Sequence, residues 1–230
     1  MRNENFNMGN RSKLSLLHSS KRLFPWLMLL LAPLVATGQE WDLNRDLLQA
    51  VRRGDDAAAI QLLGQGANLN SRNRLGDTSL NMAAKSGKTA LALQLVERGA
   101  DVNLSNLSGV SPLMSASFNG DVPLAKALLA RGADPVRVDR VKKTAAVYAA
   151  ANGHAEVLGL LLDAGVGVNA RYDNDLTVLM WAAAYGKDDA VRLLVARGAA
   201  LDARDNRGQT AHDMAVGSGH GATAELLRRR

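Results

Sequence analysis

The residues best suited to chemistry in this chain are few, and their spacing works against it. Four histidines are present: His18, His154, His212 and His220. A protein metal site gathers three or four donor side chains around one ion. His154 and His220 stand at the same point of a 33-residue repeat, two units apart. Helices pack roughly 8–10 Å from one another, so side chains two units apart share no metal. A polar or capping role is expected for both. Ser79 and Ser111 lie on or beside a lattice of helix-capping hydroxyls. Neither has the Ser/His/Asp surroundings that activate a nucleophile. Gly64-Gln65-Gly66 and Gly217-Ser218-Gly219 lack the preceding strand that a phosphate-binding loop requires. The acidic pairs Asp55-Asp56 and Asp188-Asp189 read as solvated turns. There is no cysteine, so disulfides, thiolate metal sites and cysteine nucleophiles are excluded. These residues predict no catalysis, no cofactor and no metal.

What the spacing does carry is a repeat. Gly54, Gly87, Gly120, Gly153, Gly186 and Gly219 recur every 33 residues, as do Gly66, Gly99, Gly132, Gly165 and Gly198. In the same register run Thr78, Ser111, Thr144, Thr177 and Thr210. Fixed self-similarity at this period marks a stacked array of small supersecondary units. The unit 73–105 shows why. Asn73-Arg74-Leu75-Gly76-Asp77 is turn-rich, and Thr78 then offers a hydroxyl to cap a short helix over 79–85. Gly87 ends that helix. A second helix runs over about 89–98, with Leu91, Leu93, Leu95 and Val96 as its apolar side, and Gly99 ends it. Helices this short bury too little alone. Only stacking completes their core. Apolar residues make up 47% of the chain and aromatics only 4%. Small Ala and Leu side chains therefore let thin helices approach closely.

The unit resembles the ankyrin repeat. The first helix and its flanks read GDTSLNMAAKSG (76–87), GVSPLMSASFNG (109–120), KKTAAVYAAANG (142–153), DLTVLMWAAAYG (175–186) and GQTAHDMAVGSG (208–219). The second helix and its exit read LLGQGANLN (62–70), LVERGADVN (95–103), LLARGADPV (128–136), LLDAGVGVN (161–169) and LVARGAALD (194–202). The resemblance implies an all-α solenoid of about six helix-turn-helix units with β-turn fingers. Its parts are an N-terminal capping unit at 39–72, four central repeats at 73–105, 106–138, 139–171 and 172–204, and a C-terminal cap at 205–230. The family's Pro survives only as Pro112. The family's His, which links neighbouring repeats, is replaced by Asn81, Met114, Val147, Met180 and Asp213. That loss predicts a stack held more by apolar packing than by polar bridges. Lys142 and Asp175 replace the turn Gly, so those two fingers are expected to differ in shape.

The first 38 residues are of another kind. Arg2, Arg11, Lys13, Lys21 and Arg22 precede an apolar run at 23–36, and small residues follow to Gly38. This is the pattern of a secretory signal peptide. Its apolar run falls short of the roughly 20 residues that span a bilayer as a helix. Cleavage before Gln39 and a periplasmic or secreted product are expected. The alternative is an uncleaved segment that anchors the domain to the inner membrane, facing the periplasm. The chain's net charge of +6 falls to +2 over 39–230, and no basic stripe suits nucleic acid.

In the resembled family, work means binding another protein through the fingers and the exposed side of the first helices. Carried over by position, the helix candidates are Lys85, Phe118, Asn119, Asn152 and Tyr185. The finger candidates are Arg72, Arg74, Leu107, Val110, Arg140, Lys143, Arg171, Tyr172, Leu176, Asn206 and Arg207. Phe118, Tyr172 and Tyr185 stand out as scarce aromatics beside arginines, the residue types enriched in binding hot spots. The basic fingers suggest a partner with an acidic surface. A monomer is expected.

Overall fold

The computed structural model of the chain describes residues 42–228. The expected signal peptide lies outside them. The described residues form helix after helix. They are α1 (42–53), α2 (Asp56–Gly64), α3 (Ser79–Lys85), α4 (Thr89–Glu97), α5 (Pro112–Asn119), α6 (Val122–Ala130), α7 (Ala145–Asn152), α8 (Ala155–Asp163), α9 (Val178–Ala184), α10 (Asp188–Ala196), α11 (Ala211–Gly217) and α12 (Gly221–Leu227). They pair as hairpins and stack in two layers. α3, α5, α7, α9 and α11 touch in succession, and so do α4, α6, α8, α10 and α12. None of the described helices is long and apolar enough to cross a membrane.

The capping lattice explains where the first helices begin. The hydroxyls of Thr78, Ser111, Thr144, Thr177 and Thr210 each accept a hydrogen bond from the N–H three residues on. Each satisfies an amide that the helix itself leaves without a partner. The first hairpin departs from this lattice. Arg45 stands where the hydroxyl would fall, and α1 is already helical at 42.

The core divides by side-chain size. Ala83, Ala84, Ala116, Ala149, Ala150, Ala182, Ala183 and Ala215 are fully buried along the first-helix layer. Leu91, Leu95, Leu124, Leu128, Leu158, Leu161 and Leu194 fill the second layer. Each leucine withdrawn from water in this way contributes about 2 kcal/mol.

Polar bridges between hairpins are more numerous than the missing His predicts. Asn81, at that position, still donates to Leu104 O at 2.9 Å. Thr89 donates to Asp121 and Thr223 to Asp188, both at 2.5 Å. Lys88 pairs with Asp56 at 2.9 Å, and His154 Nε2 lies 2.9 Å from Phe118 O. The acidic pairs are therefore not mere solvated turns. Asp55 caps α2, while Asp56 and Asp188 hold the next hairpin.

Between hairpins stand five fingers, at 72–77, 105–110, 138–143, 171–176 and 204–209. In four of them an Asn or Asp folds its side chain over the turn. Asn73 Oδ1 accepts from Leu75 and Asp77 N–H, and Asn106 from Ser108 and Val110. Asp139 accepts from Val141 and Lys143, and Asp205 from Arg207 and Gln209. Lys142 takes the left-handed conformation at φ 61°, so the third finger keeps its neighbours' shape despite lacking Gly. The fourth finger differs as expected, for a further reason. Tyr172 occupies the Asn/Asp position and has no acceptor to offer there. The turn tightens into a 3-10 segment, Asp173–Asp175, with both Asn174 and Asp175 at φ 60°.

Candidate functional site

The side chains that the core does not need gather on one face. At the end of α5, Phe118 meets Tyr148 of α7 edge to face, with ring centroids 6.0 Å apart. Lys143, in the third finger, places its ammonium 5.8 Å from the Tyr148 ring and 5.0 Å from the Trp181 ring. Trp181 of α9 stacks on Tyr185 at 6.1 Å, nearly parallel. The result is a continuous stripe of aromatics and one cation across three first helices. Phe118 and Tyr185 remain 53% and 50% exposed, too open to be explained as packing alone. Beside the stripe a groove of about 350 Å³ opens between α9 and α11. Its floor is apolar, from Leu176, Met180, Trp181, Ala184 and Met214, and Arg207, Gln209 and Asp213 stand among its lining residues.

Tyr148 anchors the stripe to its finger. Its hydroxyl donates to Asp139 Oδ2 at 2.5 Å. Burial, then the hydrogen bond to that carboxylate, then its negative charge hold the phenol well above its ordinary value. Folding therefore binds the Tyr148 proton more tightly. The stability this provides is complete below the ordinary phenol value of 10.0, and it drains away as pH rises above it. The urea midpoint is expected to fall between about pH 9 and pH 11, and to fall less steeply in Tyr148→Phe. Equal slopes in the two proteins would show that the Asp139–Tyr148 contact does not form. Tyr172 is also raised by burial, partly offset by a hydrogen bond with Thr144.

The positions predicted from sequence divide into three groups. Lys85, Leu107, Arg74 and Arg140 are exposed at the helix ends and fingers, and Lys143 joins the stripe. A second group is turned to structural work. Arg72 donates to Ser105 O and Arg171 to Arg204 O, each reaching the next finger. Arg207 pairs with Asp205 at 3.1 Å, and Asn206 bonds Asn174. Asn119 holds Ala84 O and Asn152 holds Tyr148 O. The third group, Val110, Tyr172 and Leu176, is half-buried against the core. Tyr172 is thus a packing residue and not an exposed anchor. Neither Tyr148 nor Trp181 was among the positions predicted from sequence. The signal was their shared place in the repeat, four residues after the capping hydroxyl, where Met82 and Ser115 stand in the preceding units.

The histidines are dispersed. His154 and His220 begin α8 and α12, while His212 lies in α11 near Asp213. Among the described residues no three His, Asp or Glu side chains gather closely enough to hold a metal ion.

A family model of ankyrin repeats, in three copies, matches residues 47–139 and again 140–230. The chain belongs to the ankyrin-repeat family. The curated proteins compared with it include no match. Ankyrin repeats are generally protein–protein interaction modules and typically non-catalytic. In this ankyrin-repeat protein the stripe and groove lie on the finger and first-helix face.

Proposed function

We propose that this protein is an exported, non-catalytic binding module that holds a partner protein against its fingers and first helices. The observation that carries this reading is the exposure of Phe118 and Tyr185 at the two ends of one aromatic stripe. A chain with so few aromatics gathers four of them on one face and leaves the outer two exposed, and aromatic side chains beside a cation are typical hot-spot chemistry. The groove beside Trp181 accepts an apolar side chain of the partner. Arg74, Arg140 and Lys142 remain exposed at the finger tips, which favours a partner with an acidic surface and speeds its encounter. Adaptor, stabiliser and inhibitor are all roles that such binding serves.

Crosslinked capture from cells tests the reading, with wild type set beside the double variant Phe118→Ala, Tyr185→Ala. Both side chains are half-exposed, so the fold is expected to survive and the captured partner to be lost. Recovery of the same proteins by both would place the binding surface elsewhere. Export rests on the sequence 1–38, and the N-terminal residue of the mature protein decides it. Gln39 supports a released periplasmic or secreted protein, whereas an intact leader supports the membrane-anchored form.

A further inference from the structure

Each finger of this array is tied to the next, with one exception. The first and second are joined by Leu107 N–H to Leu75 O at 3.0 Å, and by the Arg72 guanidinium on Ser105 O. The second and third are joined by Arg140 N–H to Ser108 O. The fourth and fifth are joined by Asn206 N–H to Asn174 O, and by Arg171 on Arg204 O. Between the third and fourth, among the described residues, no such bond forms. The cause can be read position by position. Val138 stands where Arg72 and Arg171 stand in their own fingers, so no guanidinium reaches Arg171 O. The fourth finger's 3-10 turn takes Asp173 N–H out of line with Val141 O.

The adjoining loops repeat the pattern. Asn70 accepts from Asp101 N–H. Asn103 accepts from Asp134 N–H and donates to Gly132 O, and Asn169 bonds Ala200 N–H and Gly198 O in the same way. At the equivalent point stands Val136, which makes neither bond. These valines do not replace the lost bonds by packing, because Val136 is 61% and Val138 48% exposed. Backbone strain falls at the same place. The described non-glycine residues at positive φ are Lys142, Asn174 and Asp175, on the two fingers that face each other. Each holds a conformation that β-carbon-bearing residues disfavour. The ties that remain are side-chain contacts that run from the fingers to the helices and between the helices: Tyr172 of the fourth finger with Thr144, Lys143 of the third over Trp181, and Arg197 with Asp163 at 2.7 Å.

We propose that the joint between the third and fourth fingers is the hinge of this array, the point where it opens locally while its helices stay stacked. A repeat array has no central core, so each joint has its own stability, set by the contacts across it. This joint combines lost bonds, uncompensated exposure and strain. The inference stands on the joint alone. If the binding reading also holds, a partner gripping both Tyr148 and Trp181 spans the hinge and closes it.

Hydrogen exchange on the full chain tests it, using equivalent amides bonded within their own fingers. Asn73, Asn106, Asp139 and Tyr172 each donate to the residue four positions on, at 2.9–3.1 Å. Opening at the joint makes Asp139 and Tyr172 exchange about tenfold faster than Asn73 and Asn106, after correction for intrinsic rates. The double variant Val136→Asn, Val138→Arg gives this joint the Asn and Arg that the first–second and fourth–fifth joints carry, and it should bring both amides into the range of the other two. The reverse variant at the first joint, Asn70→Val with Arg72→Val, should speed exchange at Asn73 and Asn106. Equal protection at all four amides would overturn the hinge. So would a folded Val136→Asn, Val138→Arg protein whose Asp139 and Tyr172 still exchange as in wild type.

Discussion

Gly120→Ala is expected to remove about 3 kcal/mol of folding free energy, more than the same change at the helix-ending Gly132. Two costs coincide at this position. Gly120 sits at φ +70°, where a β-carbon meets its own backbone at a cost of about 1–2 kcal/mol. A β-carbon there would also crowd the His154 ring, at 2.7 Å from Cε1 and closer still to Nδ1. The imidazole would have to swing away, giving up its bond to Phe118 O for roughly 1 kcal/mol more. Gly132 is the control. It has φ +79°, but no atom lies within 4 Å of the point a β-carbon would occupy, so Gly132→Ala should cost only the backbone part, about 1–2 kcal/mol. In a His154→Ala background, where that bond is already gone, Gly120→Ala should cost only the backbone part. Urea denaturation of wild type, the three single variants and the double variant separates these contributions. Equal losses in Gly120→Ala and Gly132→Ala would remove His154 from the account.

The same contact shows what a repeat lattice tells a reader and what it withholds. Spacing alone located the helix starts and ends, because capping is local. A hydroxyl and the N–H it satisfies lie three residues apart, as in Thr78 and Asn81. The polar bridges were harder to read, since their partners lie about one repeat away. Thr89 and Asp121 are separated by 32 residues, and Thr223 and Asp188 by 35. Within one unit, Asp188 looks like a solvated turn residue. Placed against the next unit, it is a hydrogen-bond acceptor. Two finger arginines also make bonds that a single unit does not show. Arg72 and Arg171 look like exposed binding residues until the carbonyl 33 positions on is brought beside them. The aromatic stripe was half legible. Phe118 and Tyr185 end their helices, where direction matters little, whereas Tyr148 and Trp181 depend on which way a mid-helix side chain turns. Tyr172 was read as an anchor because its chemistry suits one. Yet its place in the repeat is the Asn/Asp position of the turn, and burial claims the ring.

Leu158→Ala and Leu47→Ala should differ although the two side chains share a chemistry and a burial. Both leucines are fully buried. Emptying either site removes contacts worth about 3 kcal/mol where the surroundings cannot collapse. Leu47 lies in α1, which among the described residues has hairpins on one side only. Once its hairpin is weakened, the array can release that hairpin and keep the rest, so the loss is capped at what the outer hairpin adds. Leu158 lies in α8, between α6 and α10, and no release of an end unit relieves it. The whole array must bear the cavity or divide around it. Division is favoured here because α8 belongs to the hairpin that follows the third finger, whose joint with the fourth is already untied. Leu158→Ala is therefore expected to lower the urea midpoint more than Leu47→Ala. It should also broaden the transition, so that helix loss by circular dichroism and the fluorescence change of Trp181, read in a Trp26→Phe, Trp41→Phe background, no longer coincide. Equal midpoint shifts with coincident transitions in both variants would show that the array unfolds as one block, whichever joint is weakest.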